Sequence, residues 1–263
     1  VKRPVLPRPL SGFTLSFLRE KPGRMHKMVA LLTATRAEAF HTLAELSQPE
    51  RLEWGGGRFT LGRIDGFSVA AGWTGTGTTI AALSTQYLCD RMRPSALFFA
   101  GIGGALRADL SEGQVVTARE VMQWDIDAEP LGIGRGILPG EKDRRGKALK
   151  AVPTDEGLRR GILKIGGGNI KEGMFISGNR FIDLRDPESH SMALINGMEA
   201  DIADMESIGP ALAGYFNGIP TLLFRVVGDT ISGSRPANYR AFVDDASRTI
   251  FSLFRRMLPA VKK

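Results

Sequence analysis

The sequence predicts an α/β protein in which helices cover both faces of a largely parallel sheet. Two observations carry this expectation. Short continuous apolar runs, at 28–32, 96–100 and 221–227, have the character of strands buried on both sides, and longer stretches of helical periodicity alternate with them. Glycine-rich segments at 72–77 and 101–104 stand where strands would hand over to helices.

Taken in order, residues 1–27 carry Pro4, Pro7, Pro9, Pro22 and many cations, and they predict a flexible basic extension, with Met25 or Met28 as a candidate natural start. From Met28 onward a single domain reaching residue 263 is expected. The run 28–32 is a strand and 36–46 a helix. Residues 59–61 and 67–71 form a strand pair about the turn at Asp65 and Gly66. The first glycine loop opens a helix that continues to Met92, and the strand 96–100 leads into the second loop, 101–104. A strand at 115–122, a long glycine-rich loop at 131–145, a helix near 155–165 and a strand near 173–177 follow. A helix after Glu206, the strand 221–227 and a helix at 239–257 complete the pattern.

Composition narrows the function. Apolar residues make up 43% and charged residues 24%, the balance of a water-soluble globular chain. The longest apolar runs, 96–104 and 220–227, fall short of the ~20 residues that a membrane-spanning helix needs. The net charge of +7 comes largely from the two ends of the chain, and no nucleic-acid module or basic stripe accompanies it, so neither a nucleic acid nor a membrane is expected as partner. Cys89 has no second cysteine to pair with and lies in a helical pattern, which suits a reducing, cytoplasmic compartment. His26, His41 and His190 are too scattered for a metal site. Neither glycine loop completes a dinucleotide fingerprint or is followed by a phosphate-binding lysine, so no cofactor is expected.

What remains is carboxylate chemistry. Glu206 and Asp229 both sit where an apolar run gives way to a helix or loop, the place where α/β sheets present ligand-handling residues. Neighbouring Asp204 reads equally well as a cap for the helix that follows.

Several segments, in order, resemble the nucleoside phosphorylase and nucleosidase superfamily, and within it the 5′-methylthioadenosine/S-adenosylhomocysteine nucleosidases. The carriers are 33–39 with Glu38, the loops 74–78 and 100–106, and 124–127 with Pro139 and Gly140. The stretch 177–182, then Asp204, Met205 and Glu206, and finally 225–229 complete them, so the likeness runs from Met28 to Met257. It implies a three-layer α/β/α phosphorylase-like fold around a mixed central sheet, no metal, no organic cofactor and a homodimer. By position it makes Asp229 the general acid at the purine N7, Glu38 the base that activates water, and Glu206 the holder of the ribose hydroxyls. Phe181 would stack on the purine, the backbone of Ile182 would read its edge, and Met205 would lie against the ribose, with Arg225 also among the substrate-binding residues. The chemistry suits these residue types, because breaking an N-glycosidic bond leaves positive charge on the sugar and negative charge on the base.

The departures from that family point to the nucleophile and the substrate. Phosphorylases resembling this chain place an arginine and a serine where it has Phe99 and Ile102, so water is expected rather than phosphate; Arg36 is expected to point away. Gly228 replaces the usual serine before the catalytic aspartate. Thr35, Thr76 and Tyr239 bring hydroxyls to a pocket that is usually apolar, which predicts a 5′ group able to hydrogen-bond. Leu131 is expected to reach in from a second subunit, and Arg180 stands where the family carries a small residue. The expected reaction is hydrolysis of methylthioadenosine, S-adenosylhomocysteine or a related 5′-modified adenosine. A phosphate-dependent phosphorylase and a nucleosidase for another purine-linked metabolite, such as futalosine, are the alternatives.

Overall fold

The computed structural model describes residues 28–261 apart from positions 53, 56, 57, 185, 187 and 189, so the expected extension 1–27 lies outside the described residues. In chain order the elements are β1 (Val29–Thr33), α1 (Arg36–Ala44), β2 (Ser47–Leu52), β3 (Phe59–Ile64), β4 (Phe67–Trp73), α2 (Thr78–Met92), β5 (Ala96–Ala105) and β6 (Val115–Gln123). They continue with β7 (Ala151–Pro153), α3 (Glu156–Gly166), β8 (Ile170–Ser177), α4 (His190–Ile195), β9 (Ile202–Asp204), α5 (Ile208–Asn217), β10 (Thr221–Thr230) and α6 (Tyr239–Met257).

The strands form one mixed sheet. β1 lies parallel to β4 and β5, as do β5 to β10, β6 to β8, and β8 to β9. The pairs β2·β3, β3·β4, β5·β9, β6·β7 and β6·β10 are antiparallel. The pairings β5–β10–β6–β8–β9–β5 close on themselves, so one half of the sheet curls into a small barrel while β1, β4, β3 and β2 run out as an open wing. Closure brings the C-terminal ends of β5 and β10 beside β9, and it leaves those strands no free edge.

β1 shows why both faces are covered. Val29 and Leu31 enter one apolar cluster, Ala30 and Leu32 the other, the alternation that a strand's two-residue period imposes. The first cluster also takes Phe98, Phe224, Ile162 of α3, and Ile250 and Phe254 of α6; the second takes Phe99, Leu88 of α2 and Ile208 of α5. Burying each large side chain contributes roughly 1.5–3 kcal/mol. The expected three layers are therefore present. Helix starts follow from their caps: Asp155 accepts from the Leu158 N–H at 2.8 Å to open α3, and Asn238 accepts from the Ala241 N–H at 3.2 Å to open α6.

Three local expectations change. Residues 101–104, read as a loop, are the second half of β5, because its glycines leave room for side chains that cross over the strand. β10 runs past residue 227 to Thr230, through a bulge in which 227–230 face 103–105 of β5. Within 131–145 the backbone is mostly irregular, but it begins with a 3-10 turn, Glu129–Leu131, and an isolated bridge links Lys142 to Ala148.

Candidate active site

A cavity of about 200 Å³ opens where the C-terminal ends of β5, β9 and β10 meet the first turns of α1 and α6. A larger groove, about 660 Å³, runs beside Arg144 and Tyr215, but it gathers no buried titratable group. The smaller cavity does.

Glu38 enters it from the first turn of α1. Its Oε2 accepts from the Thr35 N–H at 2.8 Å and from the Thr35 hydroxyl at 2.9 Å, while its own N–H donates to Thr35 Oγ1 at 3.3 Å. This is a capping box, in which residue and helix start hold each other in place. Its Oε1 accepts from the Ile102 N–H at 2.9 Å, which ties α1 to β5. The carboxylate is 5% exposed and fixed by three partners, so it faces the cavity in one orientation.

Behind the wall lies a second acidic group on β9 and the turn after it. Asp204 accepts from the Glu206 N–H at 3.0 Å and the Ser207 N–H at 2.9 Å, and it also accepts from the Ser207 hydroxyl. Asp204 thus closes the turn ahead of α5 rather than capping the helix itself, whose N-cap is Ser207, and its Oδ2 binds Arg225 Nε at 2.9 Å. Arg225 Nη2 donates to Ser207 Oγ at 3.0 Å and lies 3.6 Å from Glu206 Oε2, and its guanidinium carbon sits 4.7 Å from the centre of the Phe99 ring. Burial pushes the Asp204 carboxyl up, but Arg225 and the Ser207 hydrogen bonds outweigh it and hold Asp204 below the usual range. Glu206 goes the other way. Burial pushes it up to about 7; the Asp204 and Glu38 charges add to that rise, while Arg225 and the Gly77 N–H, which donates to its Oε1 at 3.2 Å, pull against it. For Arg225 burial works against the charged form, and the carboxylates of Asp204, Glu206 and Glu38 more than restore it.

Arg225 Nη1 is buried and has no hydrogen-bond partner. A Cβ on Gly101 would lie 2.5 Å from that nitrogen and 2.7 Å from Glu38 Oε1, so the two atoms converge over a position that only glycine leaves open. Glycine at 101 is thus what lets these two side chains pack against β5.

Asp229 lies in the β10 bulge, a device that re-aims a side chain beside a site. Its Oδ1 stands 3.4 Å from Arg235 Nε, and the two side chains are 27% and 44% exposed. Tyr239, at the start of α6, has its phenol pushed up by burial and then by the Glu38 and Asp229 charges, with Arg235 acting against them.

Of the residues expected at a site, the cavity brings together Thr35, Glu38, Thr76 and Ile102 on one side. Phe181, Ile182, Met205, Glu206, Asp229 and Tyr239 complete its wall. Two do not line it. Arg225 is 1% exposed and sits beneath Glu206 rather than on the wall, because an arginine in a doubly buried strand needs carboxylate partners. Leu131, 78% exposed at its 3-10 turn, is also not part of the wall. Thr35 lines the cavity, but its hydroxyl is already engaged by Glu38, so it asks nothing of a ligand. Arg36 stacks on Trp73 at 5.9 Å, and Phe99 is fully buried under Arg225. Arg235 was not expected; it follows a turn with no motif, and only its neighbour Asp229 marks it. Among the described residues no group of three His, Cys, Asp or Glu side chains could hold a metal ion, and no helix is long and apolar enough to cross a membrane. Cys89 is buried in α2, and burial followed by the Asp90 charge pushes its thiol up to about 12.

Comparison with known proteins finds relatives over most of the chain. A 5′-methylthioadenosine/S-adenosylhomocysteine nucleosidase of Geobacillus thermodenitrificans is 24% identical over 89% of this chain and 97% of its own. The fold matches the crystal structure of the corresponding Campylobacter jejuni nucleosidase, with TM-score 0.79 at 20% identity, covering 88% of this chain and 98% of that one. It also matches the futalosine hydrolase of Helicobacter pylori, with TM-score 0.76 at 20% identity over 90% and 99% of the two chains. The family pattern described as the Phosphorylase superfamily matches residues 28–259, and the chain belongs to that superfamily.

Proposed function

We propose that this protein is a purine nucleosidase that hydrolyses the N-glycosidic bond of a 5′-modified adenosine and releases adenine. The observation that carries the reading is the convergence of Glu38, Glu206 and Asp229 on one cavity, with Arg225 beneath them. The nucleosidase activity named for the Geobacillus relative supports it.

In this reading the purine lies against Phe181, with its N7 edge at Asp229. As the bond between C1′ and the base breaks, its electron pair moves onto the base, and a proton from Asp229 neutralises it. Water attacks C1′ from the Glu38 side of the cavity and loses its proton to Glu38. Glu206 accepts from the ribose hydroxyls in its carboxylate form. The absence of a cationic side chain on the Ile102 side of the cavity, with Arg36 stacked on Trp73, favours water over phosphate. The likeness to futalosine hydrolase favours keeping other purine-linked substrates in the assay.

The test is adenine release from methylthioadenosine, S-adenosylhomocysteine and adenosine, with and without phosphate. Phosphate-independent release is expected. Release only with phosphate, with the ribose 1-phosphate that retains each substrate's 5′ group as product, would make the protein a phosphorylase. A homodimer belongs to the same proposal, and the exposure of Leu131 and Leu83 supports it. Light scattering of the protein and of Leu131→Asp tests that part.

A further inference from the structure

We propose that Arg180 and Arg235 form a cationic rim that recognises an anionic group, carboxylate or phosphate, at the 5′ end of the nucleoside. This rests on the nucleosidase reading above and adds the charge of the substrate to it.

Both arginines line the cavity, and both are carried by well-fixed backbone. Arg180 follows Asn179, whose N–H donates to Asp125 Oδ2 at 2.7 Å and whose side chain accepts from the Thr78 N–H at 2.9 Å and donates to Thr78 Oγ1 at 2.7 Å. Arg235 leaves a turn closed by three bonds: Thr230 N–H to Ser234 O at 3.0 Å, Gly233 N–H to Thr230 O at 2.9 Å, and Ser234 N–H to Thr230 Oγ1 at 3.1 Å. Their heads, by contrast, are almost unengaged. Arg180 is exposed and has no hydrogen bond or ion pair to another described residue. Arg235 reaches Asp229 only at 3.4 Å, beyond the usual range of a direct N–H···O bond.

Charge explains why two such cations are useful here. Glu38, Glu206 and Asp229 line the inner part of the same cavity, and only one arginine, Arg225, lies beneath them. Even with Asp229 carrying its proton, Asp204, Glu38 and ionised Glu206 outnumber Arg225, so an anionic ligand would meet net repulsion from that group. Two guanidinium groups at the mouth, Arg180 exposed and Arg235 held only by the 3.4 Å contact to Asp229, offset it, and a neutral ligand has no need of them. The orientation of the nucleoside leaves one end for the rim. Asp229 takes the base edge and Glu206 the ribose hydroxyls, so the 5′ substituent is the part free to vary. Guanidinium also has the planar donor pair that suits carboxylate and phosphate.

The experiment compares three adenosines that differ at the 5′ end: methylthioadenosine, a carboxyalkylthio analogue, and adenosine 5′-monophosphate. Hydrolysis is followed by adenine release, and binding to the same compounds by calorimetry. At least one anionic compound should show kcat/KM about tenfold or more above methylthioadenosine, mainly through KM, and the advantage should shrink with added salt. Arg180→Gln and Arg235→Gln should each lower the ratio of anionic to neutral kcat/KM by about tenfold, while Arg235→Lys should retain most of it. The carboxylate and phosphate arms identify which anion is preferred. Equal ratios in the protein and both glutamine variants overturn the rim. If no compound is hydrolysed, the reaction reading fails on its own. Calorimetry then still decides the rim, since it requires tighter binding of an anionic compound and loss of that preference in the variants.

Discussion

The two acidic ends of the cavity are built differently. Around Glu206 nearly every polar atom is engaged: Asp204, Ser207, Arg225 and the Gly77 N–H form one buried network under the wall. Around Asp229 there is a bulge in β10, one loose contact to Arg235, and partial exposure of both side chains. The Glu206 end is pre-organised at a cost in buried charge, and the Asp229 end stays adjustable. Only the second region can change without leaving a buried charge unpaired, so variation in what the cavity accepts is expected there rather than around Glu206.

The largest effect is expected from breaking the first region at its centre. Arg225→Ala leaves Asp204 and Glu206 buried without their cation, and removing one member of such a group costs about 3–5 kcal/mol. Denaturant unfolding should show that loss, together with collapse of activity. If stability changed by less than about 1 kcal/mol, the network would not be the rigid half of the comparison.

Next comes the chemistry itself. Asp229→Asn should lower kcat by about 100- to 10,000-fold, the usual worth of a positioned acid, while stability stays within about 1 kcal/mol of the parent because Asp229 makes no close hydrogen bond to the rest of the protein. Steady-state kinetics and thermal melts on one preparation check both halves. A large loss of stability would mean that the Asp229 end is as strongly built as the Glu206 end.

The pH dependence separates the two acids of the network. Folded Glu206 holds its proton to about 7, against 4.5 for the free side chain, so between those values the folded chain keeps a proton that the unfolded chain has released. Stability therefore falls as pH rises through that window and is level above it, by up to about 3 kcal/mol. Asp204 is depressed, so its contribution is present above 3.8 and lost only as pH falls below it, outside the Glu206 window. Unfolding curves at pH 5 and pH 8 should differ in the parent and differ much less in Glu206→Gln. If Glu206 accepts from ribose hydroxyls as proposed, kcat/KM should rise with pH toward 7. A parent as stable at pH 8 as at pH 5 would remove the argument for a strained carboxyl.

Legibility in the sequence followed the same division. α6, β1 and the apolar first parts of β5 and β10 were readable because local pattern alone specifies them, whereas the glycine-rich end of β5 and the bulged end of β10 were not. β9 was not: it has three residues, and it exists through antiparallel pairing with β5 about a hundred positions away. Yet β9 is what delivers Asp204 and Glu206. The capping box of Thr35 and Glu38 was written in the spacing, but the hydroxyl of Thr35 invited a ligand role that its helix had already taken. Arg225 stands in an apolar run, which marks it as paired, though no local signal says with what. Arg235 carries no signal at all, because a turn residue gains its role only when the chain folds back over Asp229.

The smallest effect tests how the adjustable end came to be so. A serine before the catalytic aspartate is usual in proteins that this chain resembles, and here Gly228 stands in its place. A Cβ at Gly228 would lie 2.7 Å from Ile102 Cγ2, so the isoleucine occupies the space that the serine would need. Ile102 also holds Glu38 through its N–H. The two positions are thus coupled. Gly228→Ser alone should cost about 1–3 kcal/mol by overpacking, Ile102→Ala alone a similar amount by loss of contact, and the pair together clearly less than their sum. A double-mutant cycle on unfolding free energy measures the coupling. Simple additivity would mean that Gly228 owes nothing to Ile102, and the looseness around Asp229 would then belong to the bulge alone.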